Sequence, residues 1–451
     1  MNRLSRSAKL RLLILAPLLL LTLDQRFKTL TQSRSTFTIW SSDFHISLPK
    51  DVKDVFERWP EEFNVRIQDE SLSGHCDLTR TCAKRLALLN SDNGLTLTGC
   101  PNKFKNDFWQ YYRANKLFQD VDAFLITFSI GMSELFMSFG RPIIIIVPTR
   151  YEVGRTDKTS WQRLNMNLRA IAQNPRNTIV ANNMYDAEYL MHFTGLTDIR
   201  VLPSLCGYTR TLYRPRRREV LIGPSRLSNG GSEVVRQLQF EVTHMKVNLH
   251  FAPVRDLYPT FTYADIASHM AILIIPYQIS IMSIMEYYRM GIPLFVPSIK
   301  LLVKWQLKHL VLDELSWNCV HKKCTSMSSI QPHPSSKHGI SDPNNILNET
   351  ELFHWLQYAD FYQWPCIHYF DGWIDLIQML NAIDFERTHR CMMAFNWKQT
   401  NDIKRGWRDV IDRAMQPNQS LGSHSRTTIS WETAMKEAYP TLHVDTLRMA
   451  C

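Results

Sequence analysis

Glu286 follows Gln278 after seven intervening residues, and Gly291 and Pro293 follow it in turn. Around them, Ile272–Ile275 is an apolar, largely β-branched run ended by Pro276, which reads as a buried parallel strand. Ile281–Met290 carries apolar residues at helical spacing with Glu286 the one acid among them, Gly291 falls where a C-cap belongs, and Leu294–Val296 reads as the next strand. This strand–loop–helix–strand unit is the crossover from which doubly wound sheets are built, and such sheets bind ligands beyond the carboxyl ends of their strands. Helix-start N–H groups favour an anion there, and a carboxylate one or two turns on accepts hydroxyl hydrogen bonds.

Other residues suit the same kind of ligand. Gly223-Pro224-Ser225-Arg226 follows the strand Val220–Ile222; glycine lets backbone approach a phosphate, and an arginine fork clamps two of its oxygens. Asn229-Gly230-Gly231 adds backbone N–H groups as an anion nest. Tyr277, Gln278 and Ser280 place polar side chains in the loop before the Glu286 helix. Asp43 and His45 come just after the strand Phe37–Trp40, where an imidazole oriented by a carboxylate is suited to take a proton from a hydroxyl. Glu134 is a second base candidate, near a helix start, and His75 in Ser-Gly-His-Cys is a third.

The Gln278, Glu286, Gly291, Pro293 pattern resembles the donor-site signature of GT-B glycosyltransferases of the family 1 and 4 type. In the retaining branch that signature is two glutamates separated by seven residues, followed by a small-residue–Pro step into a strand. The resemblance implies that Glu286 holds the ribose of a nucleotide sugar and that Gly223, Arg226, Tyr277, Gln278, Ser280 and Gly291 belong to the donor site. Arg226 matches the basic residue that contacts the donor diphosphate. The first glutamate is replaced by Gln278, which cannot carry a negative charge. In inverting members a histidine after the first strand is the general base, and His45 matches it, with Asp43 as orienter. Retention and inversion both remain open on these residues. No Asp-x-Asp stands at a strand end, so the resemblance implies a metal-independent, hexosyltransferase-like enzyme without cofactor, using the nucleotide sugar as co-substrate. The alternative from another class is a glycan-binding protein, secreted or membrane-anchored, that kept the fold and lost catalysis, which Gln278 would suit. A sugar-nucleotide epimerase on the same fold fits less well with entry into the secretory pathway.

The elements needed to position these residues alternate along the chain. Phe37–Trp40, Val65–Ile67, Ala123–Phe128, Ile143–Val147, Thr178–Ala181 and Ile199–Leu202 read as strands between helical segments, a first doubly wound domain over 37–212. Past the basic run Arg214–Arg218, strands at Val220–Ile222, Val247–Phe251, Ile272–Ile275 and Leu294–Val296 give a second, over 213–380. The expected fold class is therefore α/β, two Rossmann-like domains facing across a cleft, acceptor on the first and donor on the second. Residues 319–345 read as a long surface loop, 381–416 as one or two terminal helices, and 417–451 as a polar, poorly ordered tail.

The totals bound the partners. The chain has 451 residues, 45% of them hydrophobic and 21% charged, which describes a globular protein with a sizeable core. A net charge of +10 favours anions: nucleotide sugars, acidic glycans or membrane surfaces. No zinc-finger or RNA-recognition spacing accompanies the basic run, so nucleic acid is not expected as a partner. Four basic residues precede the apolar run Leu12–Leu23. Twelve helical residues span roughly 18 Å, short of the roughly 30 Å hydrocarbon core. Because no A-x-A-like cleavage site follows, a short uncleaved anchor is expected, with residues 25–36 as stem, giving a type II protein of the Golgi or endoplasmic reticulum membrane with a luminal catalytic domain, or a secreted one if the segment is cleaved. Sequons at Asn348 and Asn418 agree with a luminal glycoprotein. Nine cysteines permit up to four disulfides, of undetermined connectivity, and no C-x-x-C pair suggests a zinc or redox site.

Overall fold

The computed structural model describes residues 36–84, 86–94, 101–155, 157–223, 232–312, 328, 330–417 and 430–439. Leu12–Leu23, the 224–231 turn with Arg226, and Asn418 lie outside the described residues. Among those described, no helix is long and apolar enough to cross a membrane.

Two wholly parallel sheets organise the chain. In the first, β1 (Phe37–Ser41), β2 (Val65–Asp69), β3 (Ala123–Ile126), β4 (Ile143–Val147), β5 (Thr178–Ala181) and β6 (Arg200–Val201) lie in the order β2-β1-β3-β4-β5-β6. In the second, β7 (Arg217–Ile222), β8 (Phe251–Pro253), β9 (His269–Leu273), β10 (Leu294–Pro297) and β11 (His368–Phe370) lie in the order β11-β10-β9-β7-β8. Read from the other edge, the second sheet has the strand order of the first. In each, the first strand lies between the second and the third, which puts the crevice beyond the carboxyl end of that first strand. The fold is α/β, two doubly wound Rossmann-like sheets.

The first sheet shows why its strands read as unbroken apolar runs. Alternate side chains point to opposite faces, and both faces are covered. Ile39, Leu125, Ile144 and Ile146 meet helix α1 (Ser47–Arg58) and part of a long terminal helix through Ile403, Trp407 and Val410. Trp40, Phe124, Ile126, Ile143 and Ile145 pack on the other face with Phe108, Trp161, Leu168 and Tyr189. Those belong to α2 (Pro101–Tyr112), α3 (Lys158–Gln173) and α4 (Met184–Thr194).

Several expectations need correction. The strand expected at Val247–Phe251 forms instead at Phe251–Pro253, and the one expected at Ile272–Ile275 begins earlier, at His269. The edge strand β11 was not foreseen, since His368-Tyr369-Phe370 is too short to show a pattern. Phe385–Ala414 (α6, after α5, Met282–Met290) is one continuous helix that returns from the second sheet to cover the first. The expected poorly ordered tail contains a helix, Trp431–Ala438, capped by Ser430 and burying Trp431 and Met435. The described part of the 319–345 loop is pinned to α4: the His333 N–H donates to the His192 carbonyl at 2.8 Å, and Lys337 and His338 reach Glu188 at 2.7 and 2.9 Å. Disulfides join Cys76 to Cys82 and Cys366 to Cys391, while Cys206 is a buried free thiol.

Candidate functional site

The two sheets touch directly where their connections meet. Ser280, in the loop after β9, donates to Asp186 at 2.6 Å and accepts from Asn183 at 3.1 Å, both at the start of α4. Asp186 is in turn paired with buried Arg150 at 2.8 Å. On the other side of α5, the Arg289 guanidinium donates to the Ser204 carbonyl at 3.1 and 3.2 Å. Asp51 of α1 accepts the Cys206 and Leu205 N–H groups at 2.6 and 3.2 Å. Burial pushes the Asp51 carboxyl up to about 6, with the two N–H bonds and Arg289 pulling the other way. Ser280 thus spends its hydroxyl on the junction between the lobes.

Glu286 lies one turn into α5, with its side chain partly exposed toward the first lobe. The Tyr208 and Tyr263 hydroxyls both donate to its Oε1, at 2.6 and 2.8 Å. No described residue donates to Oε2. Burial raises the carboxyl's pKa, and the two tyrosines and the Lys50 ammonium oppose that rise. Lys50, on α1, stands 4.4 Å from the centre of the Tyr208 ring. Tyr208 comes from the connection between the sheets and Tyr263 from a short helix before β9. Neither residue carried a signal in the sequence, because the contacts cross 78 and 23 positions.

The remaining residues expected in the donor site fall in different places. Gln278 and Tyr277 are partly exposed in the loop before α5. Gly223 follows β7, its N–H donating to Leu273 at 2.7 Å; a Cβ there would stand 2.7 Å from Ile274 Cδ1, so the side chains of the sheet crowd this position. Gly291 is at the far end of α5, about 13 Å along a helix of nine residues. Its φ of +75° forms the left-handed C-cap, and the His389 ring packs over it. Gly291 therefore shapes the helix end and is not brought to the loop.

Of the residues expected on the acceptor side, Asp43 is fully buried beyond β1 and accepts the backbone N–H of His45 at 2.7 Å. That bond fixes the chain, and the carboxylate makes no hydrogen bond to the imidazole, so Asp43 is not the orienter expected for it. His45 is solvent-exposed but crowded by protein; the partial loss of hydration, followed by the nearby His75 charge, lowers its pKa. The carboxyl whose charge acts on Asp43 is Asp69, at the end of the neighbouring strand β2. Ser41 pairs with Asp69 in the ladder, and Asp43 follows two residues beyond Ser41. Burial, then their mutual repulsion, pushes Asp43 up, and burial does the same to Asp69.

Glu134 has a different role from the one its position suggested. It is buried at the start of a short helix, paired with Lys105 at 2.6 Å and Arg155 at 3.6 Å, and accepting from Asn167 at 2.8 Å. Burial raises its pKa, but the two cations more than offset this and hold the carboxyl at about 2. A carboxylate so enclosed and so acidic is a core ion pair, not a base.

Among the described residues, the cluster with metal-like spacing is Cys76, Asp77 and Cys82, whose sulfurs are bonded to one another. A cavity of about 390 Å³ opens between α1 and the 78–81 loop, lined by Lys50, Lys53, Asp69, Thr79, Tyr208 and Arg210 among others. Asp69 lines this cavity, and Tyr208, which also lines it, donates to Glu286.

No protein-family model matches the chain, and no curated protein matches it. Solved structures similar to it include the glycosyltransferase SnogD from Streptomyces nogalater, at 11% identity over 58% of this chain and 82% of that one, with a TM-score of 0.33. Glycosyltransferase VinC in complex with dTDP is 10% identical over 84% and 99%, with a TM-score of 0.40. The glycotransferase of kitacinnamycin is 12% identical over 85% and 100%, with a TM-score of 0.36. At this distance the assignment of the fold rests on the two sheets themselves.

Proposed function

We propose that the chain is a metal-independent glycosyltransferase that moves a sugar from a nucleotide donor to a glycan or glycoprotein acceptor, anchored by Leu12–Leu23 in the Golgi or endoplasmic reticulum membrane with its two lobes in the lumen. The observation that carries this reading is Glu286: a carboxylate one turn into a crossover helix, one oxygen fixed by two tyrosines, the other left for a ligand, at the seam between two sheets. A ribose bears the paired hydroxyls such an oxygen accepts from. The N–H groups at the start of α5, with Arg226, offset the charge of the leaving diphosphate. Groups at the carboxyl ends of β1 and β2 accept the acceptor's proton.

The test is a screen of the purified chain, lacking residues 1–35, for turnover of a panel of nucleotide sugars. One donor is expected to be turned over, and Glu286→Ala to abolish that turnover while leaving the thermal midpoint within a few degrees. Absence of turnover with every donor, together with nucleotide-independent glycan binding, contradicts it.

A further inference from the structure

Two acids at the ends of adjacent strands share an environment that neither His45 nor Glu286 explains. Asp43 is wholly buried, and its Oδ2 has no hydrogen-bond donor; neither has Oδ1 of Asp69. Two orphaned carboxylate oxygens out of water are costly. One proton held between them satisfies both and leaves a single negative charge on the pair. Asp43 faces inward, toward Ser71 and the His45 backbone, while Asp69 faces the 390 Å³ cavity. The pair is therefore a buried store for a proton with one face open to a ligand.

The cavity is built to take one. Its outer wall is the 76–82 turn, closed by the Cys76–Cys82 disulfide and by the Ser71–Cys82 bridge to the end of β2. Thr79 and Thr81 stand on that wall with their hydroxyls 2.7 Å apart, and Leu78, 79% exposed, stands at the rim, where the apolar face of a sugar ring could lie. The opposite wall is α1 with Lys50 and Lys53; Tyr208 forms the floor on the Glu286 side. The charged groups around Asp69 are Lys53, which favours its ionised form, and Glu70, which opposes it; Asp54, Glu57, Lys50 and Arg210 line the cavity farther out. Lys53 is partly occupied by Glu57 at 3.8 Å, and Asp54 by Arg58 at 2.9 Å. His75 acts electrostatically on His45 near the same strand ends.

We propose that Asp69, sharing a proton with Asp43, is the general base of the transfer, and that the cavity it lines holds the hydroxyl-bearing acceptor sugar. This rests on the glycosyltransferase reading. The singly ionised pair takes the acceptor O–H proton and becomes neutral. The acceptor oxygen bonds to the anomeric carbon as the bond from that carbon to the diphosphate breaks, and the nucleoside diphosphate leaves with the electron pair. The proton then passes from the pair to solvent. A base whose affinity for protons lies near neutral is suited to this, and an isolated surface aspartate is not.

The experiment compares the chain with its Asp69→Asn and His45→Ala variants in three measurements. These are the infrared carbonyl band of a protonated carboxylic acid at neutral pH, nucleoside diphosphate affinity, and the pH profile of kcat with the donor found in the screen. Expected are a protonated-acid band lost in Asp69→Asn, unchanged nucleotide affinity, a fall in kcat of roughly 10²–10⁴-fold, and loss of the acid limb of the profile; His45→Ala keeps that limb. Asp69→Glu, which keeps a carboxyl, restores part of kcat, a rescue that a merely structural Asp69 would not show. If the band is missing, or His45→Ala removes the acid limb and Asp69→Asn leaves it, the base assignment is overturned while donor binding and turnover stand. If no donor is turned over, the reading beneath it falls and the base assignment with it.

Discussion

At the scale of single residues, charge burial separates chemistry from architecture. Glu134 and Asp69 are both acids near strand ends, yet their surroundings drive them in opposite directions. Lys105 and Arg155 hold Glu134 ionised, whereas burial pushes the Asp69 carboxyl up. Replacing Glu134 with glutamine leaves two buried cations without their carboxylate, a loss of about 3–5 kcal/mol by analogy with other broken buried pairs. Urea denaturation at neutral pH is the measurement, and catalysis per folded molecule should be unchanged. The pH dependence follows from the sign of the shift. The Glu134 pKa is lowered by folding, so its contribution is complete above the ordinary carboxylate range near 4.5 and is lost as pH falls toward about 2. In Glu134→Gln that acid-limb loss of stability should flatten. Sequence showed Glu134 as a polar residue at a helix start, but Lys105 and Arg155, the partners that decide its role, are brought to it only by the fold. The same holds for Tyr208 and Tyr263 on Glu286. Asp69 was visible at the end of a strand, yet nothing local distinguishes an acid that faces another acid from one that faces water.

At the scale of elements, the terminal helix α6 is the clearest case of a pattern whose meaning lay elsewhere in the chain. Its apolar stripe announces a buried face, but not that Ile403, Trp407, Val410 and Ile411 would cover the first sheet beside α1. Trp407 packs edge-on to Phe56 at 5.2 Å, and Glu62, just past α1, pairs with Lys404 and Arg408. Trp407→Ala should cost about 3–5 kcal/mol, as large aromatic truncations in cores do. Because the helix starts on the second sheet, tied there by Cys366–Cys391, the loss should appear as reduced cooperativity between the lobes in a calorimetric scan. The strands were legible where they were long and β-branched, as in Ile143–Val147, since burial on both faces leaves no polar interruption. Short edge pieces such as β11 carry too few residues for any period. The helix at Trp431–Ala438 was masked by the polar residues around it, although Ser430 followed by Trp431-Glu432-Thr433 is a legitimate helix start.

At the scale of the whole molecule, both sheets have their first strand flanked by the second and third, and the junction between them is held by polar contacts of modest number: Ser280 to Asp186, Arg289 to Ser204, Asp51 to the Cys206 backbone. The 330–348 segment adds a strap from the second lobe to α4 through Glu188, His192 and Tyr189. Such a junction keeps Glu286 at the seam, where its Oε1 is already held by Tyr208 and Tyr263. Calorimetric titration of the chain with uridine, thymidine and guanosine diphosphates, repeated on Glu286→Ala, reads that placement directly. At least one nucleotide should bind, and removal of a hydrogen bond to a charged group should weaken it by about 10-fold or more. Binding of equal strength to both proteins, or to neither, is incompatible with Glu286 as the residue that holds the donor's ribose.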